Sequence, residues 1–112
     1  MKKNSRKLAF VLLLFFIAGT MAVFAQDGRV RAANDQLQIA ERDSERAAQL
    51  ARKDYAANEA EIKRLVRNAI AAVVEAERIL QNANLTASSS QNERMGRINA
   101  NVQAVRNIQM LY

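Results

Sequence analysis

The chain has 112 residues, half of them apolar but only 5% aromatic, and it contains no Cys, His, Pro or Trp. The absence of Cys excludes disulfides and thiolate metal sites, and the absence of His removes the commonest general base and the commonest metal ligand. The formal net charge of +6 depends on four basic residues at the N-terminus, Lys2, Lys3, Arg6 and Lys7, without which 13 basic residues face 11 acidic ones. The basic isoelectric point therefore gives no reason to predict a nucleic-acid partner.

The first predicted element is a signal peptide over residues 1–25. Its basic start leads into an unbroken apolar run from Leu8 to Ile17, and Ala25 precedes a polar stretch that begins at Gln26. This layout predicts cleavage between Ala25 and Gln26 and a mature protein that is periplasmic or secreted. The alternative is an uncleaved, single-pass membrane anchor, because the apolar stretch is near the lower length limit for spanning a bilayer. No Cys follows it, which excludes a lipoprotein anchor.

The remaining residues, 26–112, are predicted to form one all-α domain. A first helix is expected over about 29–81, where neither Gly nor Pro occurs and apolar residues recur at steps of three and four. Within it, Ala69 to Ala76 reads AIAAVVEA and is apolar nearly all the way round. Such a helix must be covered on more than one side, by another helix, another subunit or a membrane surface.

A polar loop is predicted over 82–90. It lies within the stretch NANLTASSSQN (82–92), whose short polar side chains favour turns. Ser90 followed by Glu93 fits a capping box, so a second helix is expected over about 91–111.

The preferred fold is a helical hairpin or coiled coil, in which the long helix extends past the shorter returning one. The alternative is a three-helix bundle with a turn around Asp54 to Asn58, and the absence of Gly, Pro and a convincing cap there favours the hairpin. In the hairpin, a row of small apolar residues that we call the seam packs against the second helix and against a second copy of the chain. The seam comprises Leu37, Ala47, Ala51, Ile62, Val66, Ala69, Val73 and Leu80 on the first helix and Ile98, Val102, Val105 and Ile108 on the second.

No catalytic, cofactor-binding or metal-binding residue is predicted, and the chain is not expected to be an enzyme. Glu41 and Glu45 share a helix face, but Arg42 and Arg46 neighbour both, which is typical of surface charge. The sequence has no nucleophile elbow, phosphate-binding glycine loop or metal-ligand spacing. It also lacks the aromatic residues on which nucleic-acid bases stack.

By exclusion, the sequence favours an exported structural or protein-interaction module that forms a homo-oligomer or binds other envelope proteins. No small-molecule substrate is evident. An alternative is a membrane-associated module, held by an uncleaved leader or lying on lipid through the apolar face of Ile62 to Leu80. The basic residues that flank this face are Lys63, Arg64, Arg67 and Arg78. A further alternative is a small periplasmic holdase-type chaperone, a class with the same expected address, charge sign and helix content.

Overall fold

A computed structural model describes residues 27–112, so the predicted leader and its cleavage site between Ala25 and Gln26 lie outside the described residues. Two helices pack against each other, α1 (Lys2–Asn82) and α2 (Ser89–Gln109). Only the part of α1 from Asp27 onwards belongs to the described residues. The described residues contain no β-strand. The prediction of an all-α fold is confirmed.

The described part of α1 is interrupted at Asp54, whose backbone is extended (φ −165°, ψ 94°). We call residues 27–53 the N-arm of α1 and residues 55–82 the C-arm. Leu37 and Ala76 belong to one buried cluster, although a straight helix would place them about 58 Å apart. The two arms therefore fold back on each other, which differs from the uninterrupted helix expected over 29–81. The break lies where the three-helix alternative placed its turn.

A side-chain cap explains why α1 can break without Gly or Pro. One carboxylate oxygen of Asp54 accepts a hydrogen bond from the backbone N–H of Ala57 at 3.1 Å. The side-chain amide of Asn58 donates to the Asp54 carbonyl at 2.9 Å. Asp54 is thus the N-cap of the C-arm, and it satisfies an amide that the first turn of a helix leaves without a partner. The expectation that this segment holds no cap was wrong.

The loop between α1 and α2 is short and is defined by caps at both ends. Asn84 has a positive φ of 56°, a conformation that Asn tolerates, and the Leu85 N–H donates back to the Leu80 carbonyl at 2.8 Å. At the other end, Ser88 and Gln91 form a capping box with hydrogen bonds of 3.1 and 2.9 Å. The predicted box of Ser90 and Glu93 is therefore two residues too late, because three consecutive serines offer alternative registers.

Cross-helix contacts define the direction of each segment. Gln91 bonds to Asn34, and ten residues further along each helix Asn101 bonds to Ser44, so α2 runs parallel to the N-arm. The C-arm runs antiparallel to both. Two buried clusters fill the space between the three segments. They contain Ala33, Leu37, Ala40, Ala69, Ala72, Ala76, Leu80 and Ile98 at one end, and Ala47, Ala48, Leu50, Ala51, Tyr55, Ile62, Leu65 and Val105 at the other.

Candidate interaction surface

The residues predicted as a seam lie together between the two arms and α2. Three of them, Val66, Val73 and Ile108, are half-buried. The other nine are buried, namely Leu37, Ala47, Ala51, Ile62, Ala69, Leu80, Ile98, Val102 and Val105. The seam therefore packs within one chain, because the fold-back at Asp54 supplies the cover that the hairpin would have needed from a second copy.

Polar side chains join α2 to the N-arm. The Gln91 side-chain amide donates to the Asn34 side-chain oxygen at 3.0 Å. The Asn101 amide donates to the Ser44 hydroxyl at 3.2 Å, and Ser44 is fully buried. Because a buried polar group is costly without its partner, these bonds fix both the distance and the register between the two helices.

An ion pair lies between these two hydrogen bonds. Arg94 of α2 donates to the carboxylate of Glu41 on the N-arm, and the two side chains are only 22% and 24% exposed. Glu41 is therefore engaged in structure, whereas Glu45, the other member of the carboxylate pair noted in the sequence, is exposed. Among residues 27–112, no group of three or more acidic side chains is placed to hold a metal ion.

The opposite flank of α2 is mostly apolar. Within the described residues, no side-chain hydrogen bond joins α2 to the C-arm. An open groove of about 250 Å³ runs between them instead. It is lined by Ile70, Val73 and Val74 of the C-arm and by Met95, Ile98, Asn99, Val102 and Arg106 of α2. Ile70 is 40% exposed and Val74 is 58% exposed, so the C-arm rim of the groove presents two large apolar side chains to solvent.

The groove was not predicted from the sequence, although a signal for it was present. Ile70 and Val74 belong to the AIAAVVEA stretch, which is apolar on faces that one neighbouring helix cannot cover together. The structure covers Ala69, Ala72 and Ala76 with the other helices and leaves Ile70 and Val74 open. The surface that needs further cover is thus narrower than the seam and lies on another face of the helix.

Charged residues flank the two exposed apolar side chains. Arg67 lies one turn before Ile70, and Glu77 lies one turn after Val74. Both are exposed, and within residues 27–112 neither has an oppositely charged group within ion-pair distance, which is also true of Arg106. The groove is therefore bordered by charges of both signs that are available to a partner.

Other charged residues of the C-arm, unlike Arg67 and Glu77, are paired with one another. Arg78 donates hydrogen bonds to Glu75, and this lowers the pKa of the Glu75 carboxyl. Arg64 lowers the pKa of Glu61 in the same way. The hydrogen bond from Lys63 to Glu59, at 2.8 Å, raises the pKa of Lys63. These exposed pairs link residues three or four apart on one helix and support that helix only weakly.

The apolar face of Ile62 to Leu80, considered above as a lipid-binding surface, is largely covered. Ile62, Leu65 and Leu80 are each at most 5% exposed. None of the helical segments in residues 27–112 has the length and hydropathy of a membrane span.

Comparison of the chain with family models, with curated proteins and with solved structures finds no match. Its function is therefore inferred from its residues and their geometry.

Proposed function

We propose that the protein is an exported, non-enzymatic helical module whose task is to bind another polypeptide, and that a helix of its partner occupies the groove between the C-arm and α2. The observation that carries this proposal is the exposure of Ile70 and Val74 beside the apolar wall that Val102 and Met95 contribute. Apolar side chains that are grouped and exposed on a small protein mark binding surfaces more often than scattered ones do.

The shape of the groove favours a helical occupant. Two antiparallel helices, the C-arm and α2, form its walls, and helices pack by placing the ridge of one into a groove of another. An amphipathic helix contributes apolar residues at steps of three and four, which matches the spacing of Ile70, Val73 and Val74. A peptide that binds by strand addition would need an exposed sheet edge, and the described residues provide none.

The export part of the proposal depends on the sequence. Residues 1–25 have the three-part layout of a signal peptide, with basic residues, an apolar run and a small residue at position 25. We expect the chain to be processed at Gln26 and the groove to meet its partner in the periplasm or outside the cell. The N-terminal residue of the protein recovered from fractionated cells tests the cleavage, because a chain that still begins at Met1 would contradict processing at Gln26 and would favour the membrane-anchored alternative.

Site-specific photo-crosslinking tests the groove. A photoreactive amino acid replaces Val74 in the full chain, which is expressed in cells and then irradiated. We expect a protein adduct of one discrete mass, because position 74 lies on the groove rim. The matched control carries the same group in place of Gln49, an exposed residue on the far side of the N-arm.

The contrast between the two positions decides the result. An adduct at position 74 that is absent at position 49 supports a binding surface at the groove. Equal adducts at both positions, or no protein adduct at position 74, would contradict the proposal. Recovery of lipid in place of protein at position 74 would favour the membrane-associated alternative.

A further inference from the structure

We infer that the occupant of the groove is a second copy of this chain, related to the first by a twofold axis that makes the two C-arms antiparallel. The inference rests on the proposed function, since it names the partner of the same groove. It is carried by four exposed residues, Arg67, Ile70, Val74 and Glu77, which follow one another at steps of three, four and three along one face of the C-arm.

The order of these four residues is self-complementary. When two C-arms lie antiparallel with Ile70 of each opposite Val74 of the other, Arg67 of each comes opposite Glu77 of the other. Two apolar contacts are then bordered by two ion pairs, one at each end. A twofold interface requires this property, because the same patch must bind itself.

A second cation is placed to join each of these ion pairs. Ile98 packs in the cluster that contains Ala72 and Ala76, whereas Val105 packs with Ile62 and Leu65. Arg106, which follows Val105 and lines the groove, therefore lies towards the Arg67 end of the C-arm. Glu77 of the second copy, which reaches that end in the antiparallel arrangement, meets Arg67 and Arg106 together.

The proposed twofold axis passes between Ile70 and Val74, and the exposed Ala71 lies beside it. The small side chain of Ala71 lets the two C-arms approach closely, while Ile70 and Val74 of each copy enter the other's groove. The patch is small, so the dimer belongs among weak, reversible interfaces, for which charge complementarity selects the correct partner. Because the contact closes on itself, it produces a dimer and not a filament.

The chain contains no Cys, so a single introduced thiol gives an unambiguous test. The full chain carries Ala71→Cys and is treated in cells with a short thiol crosslinker. We expect a covalent product of twice the chain mass, because the two thiols flank the twofold axis. Gln49→Cys is the matched control and is expected to give no such product.

Charge variants in the Ala71→Cys background then test the arrangement. Glu77→Arg places like charges together at both ends, and we expect the dimer yield to fall about tenfold. The double variant Arg67→Glu/Arg106→Glu should lose the dimer to a similar extent. The control Glu45→Arg makes the same change of charge on the N-arm and should leave the yield unchanged.

Co-expression of the two defective chains gives the sharpest result. In a mixed dimer, the arginine introduced at position 77 of one chain faces the two glutamates introduced at positions 67 and 106 of the other, while the second end keeps its native charges. We expect cross-linking between the two chains to recover, and because only folded chains can do this, recovery also excludes unfolding as the cause of the earlier losses. Loss of the dimer without recovery, or no loss in either variant, would overturn the inference.

The inference and the proposed function fail in different ways. If Ala71→Cys gives no dimer while the photoreactive group at position 74 captures a different protein, the groove binds a partner but not a second copy. If neither experiment gives a product, both proposals fail.

Discussion

The two flanks of α2 use different physical means to hold their neighbours. Towards the N-arm, three polar contacts involving Asn34, Glu41 and Ser44 connect helices whose bonded residues are more than 50 positions apart in the chain. Towards the C-arm, α2 makes no side-chain hydrogen bond within the described residues, and a groove of about 250 Å³ remains open. The same helix thus has one flank with fixed partners and one flank that can accept another.

This difference shows which contacts hold the helices in a single arrangement. Apolar contacts are non-directional and tolerate small sliding of one helix along another, whereas a buried hydrogen bond exists in only one register. We therefore attribute the position of α2 to its polar flank, and the capacity to bind a further helix to its apolar flank. The following changes test this division, from the largest expected effect to the smallest.

Leu37→Ala should affect the whole domain, because Leu37 is fully buried in the cluster that contacts both the C-arm and α2. We expect a loss of about 2–5 kcal/mol in the free energy of unfolding, from lost apolar burial and from the cavity left behind. Chemical denaturation measures the change. Gln38→Ala, at the exposed neighbouring position, is the control and should change stability by about 0.5 kcal/mol or less.

Arg94→Met should weaken the polar flank alone. It leaves the half-buried Glu41 carboxylate without its cation, and we expect a loss of about 1–3 kcal/mol in unfolding free energy. A double-mutant cycle with Glu41→Gln isolates the interaction between the two side chains. If the loss of unfolding free energy in the double variant equals the sum of the losses in the two single variants, the two side chains do not stabilise the fold by interacting with each other.

Asp54→Ala tests the fold-back that places the C-arm beside α2. The variant removes the cap on the Ala57 N–H, and we expect a loss of about 0.5–2 kcal/mol in unfolding free energy. Asp54→Asn should retain most of the stability, because Asn caps helices about as well as Asp. Asp35→Ala, at an exposed position of the N-arm, is the control. An equal loss in Asp35→Ala and Asp54→Ala would contradict the capping role.

Val74→Gln should leave the folded monomer nearly unchanged, because Val74 is 58% exposed and Gln is a better helix former than Val. We expect a change of about 0.5 kcal/mol or less in dilute solution, measured by denaturation. A loss approaching that of Leu37→Ala would show that the groove belongs to the core and is not a free surface.

The smallest effect concerns the exposed ion pairs of the C-arm. The hydrogen bonds from Arg78 lower the pKa of Glu75 in the folded protein, so this pair contributes to stability above the unfolded pKa, and the contribution disappears as the pH falls through the folded pKa. Glu61 behaves in the same way with Arg64. In an NMR titration, Arg78→Met should raise the pKa of Glu75 towards its ordinary value and leave that of Glu61 unchanged.

Much of the fold follows from the sequence, because helical periodicity and caps are local properties. Nine of the twelve residues predicted as the seam are buried and three are half-buried. Spacing alone does not distinguish a helix that folds back from one that meets a second copy, since both bury the same face. The choice depended on Asp54, a single capping residue that the sequence does not separate from the exposed acids around it.

The groove was harder to predict for a related reason. The exposed Ile70 and Val74 leave the helix at a different angle from the buried Ala69 and Ala72. That angle has meaning only once the positions of the other two helical segments are known. The sequence indicated that the AIAAVVEA stretch needs cover on several sides, but it could not say which side the chain itself leaves open.

The two tyrosines of the chain provide an intrinsic optical signal for one event. Tyr55 follows the break in α1, Tyr112 follows the end of α2, and their rings stack with centroids 5.2 Å apart and planes 26° apart. The chain contains no Trp, so its near-ultraviolet absorption and emission come mainly from this pair. Tyrosine fluorescence and circular dichroism near 280 nm therefore report when the end of α2 packs against the break in α1, without any attached dye.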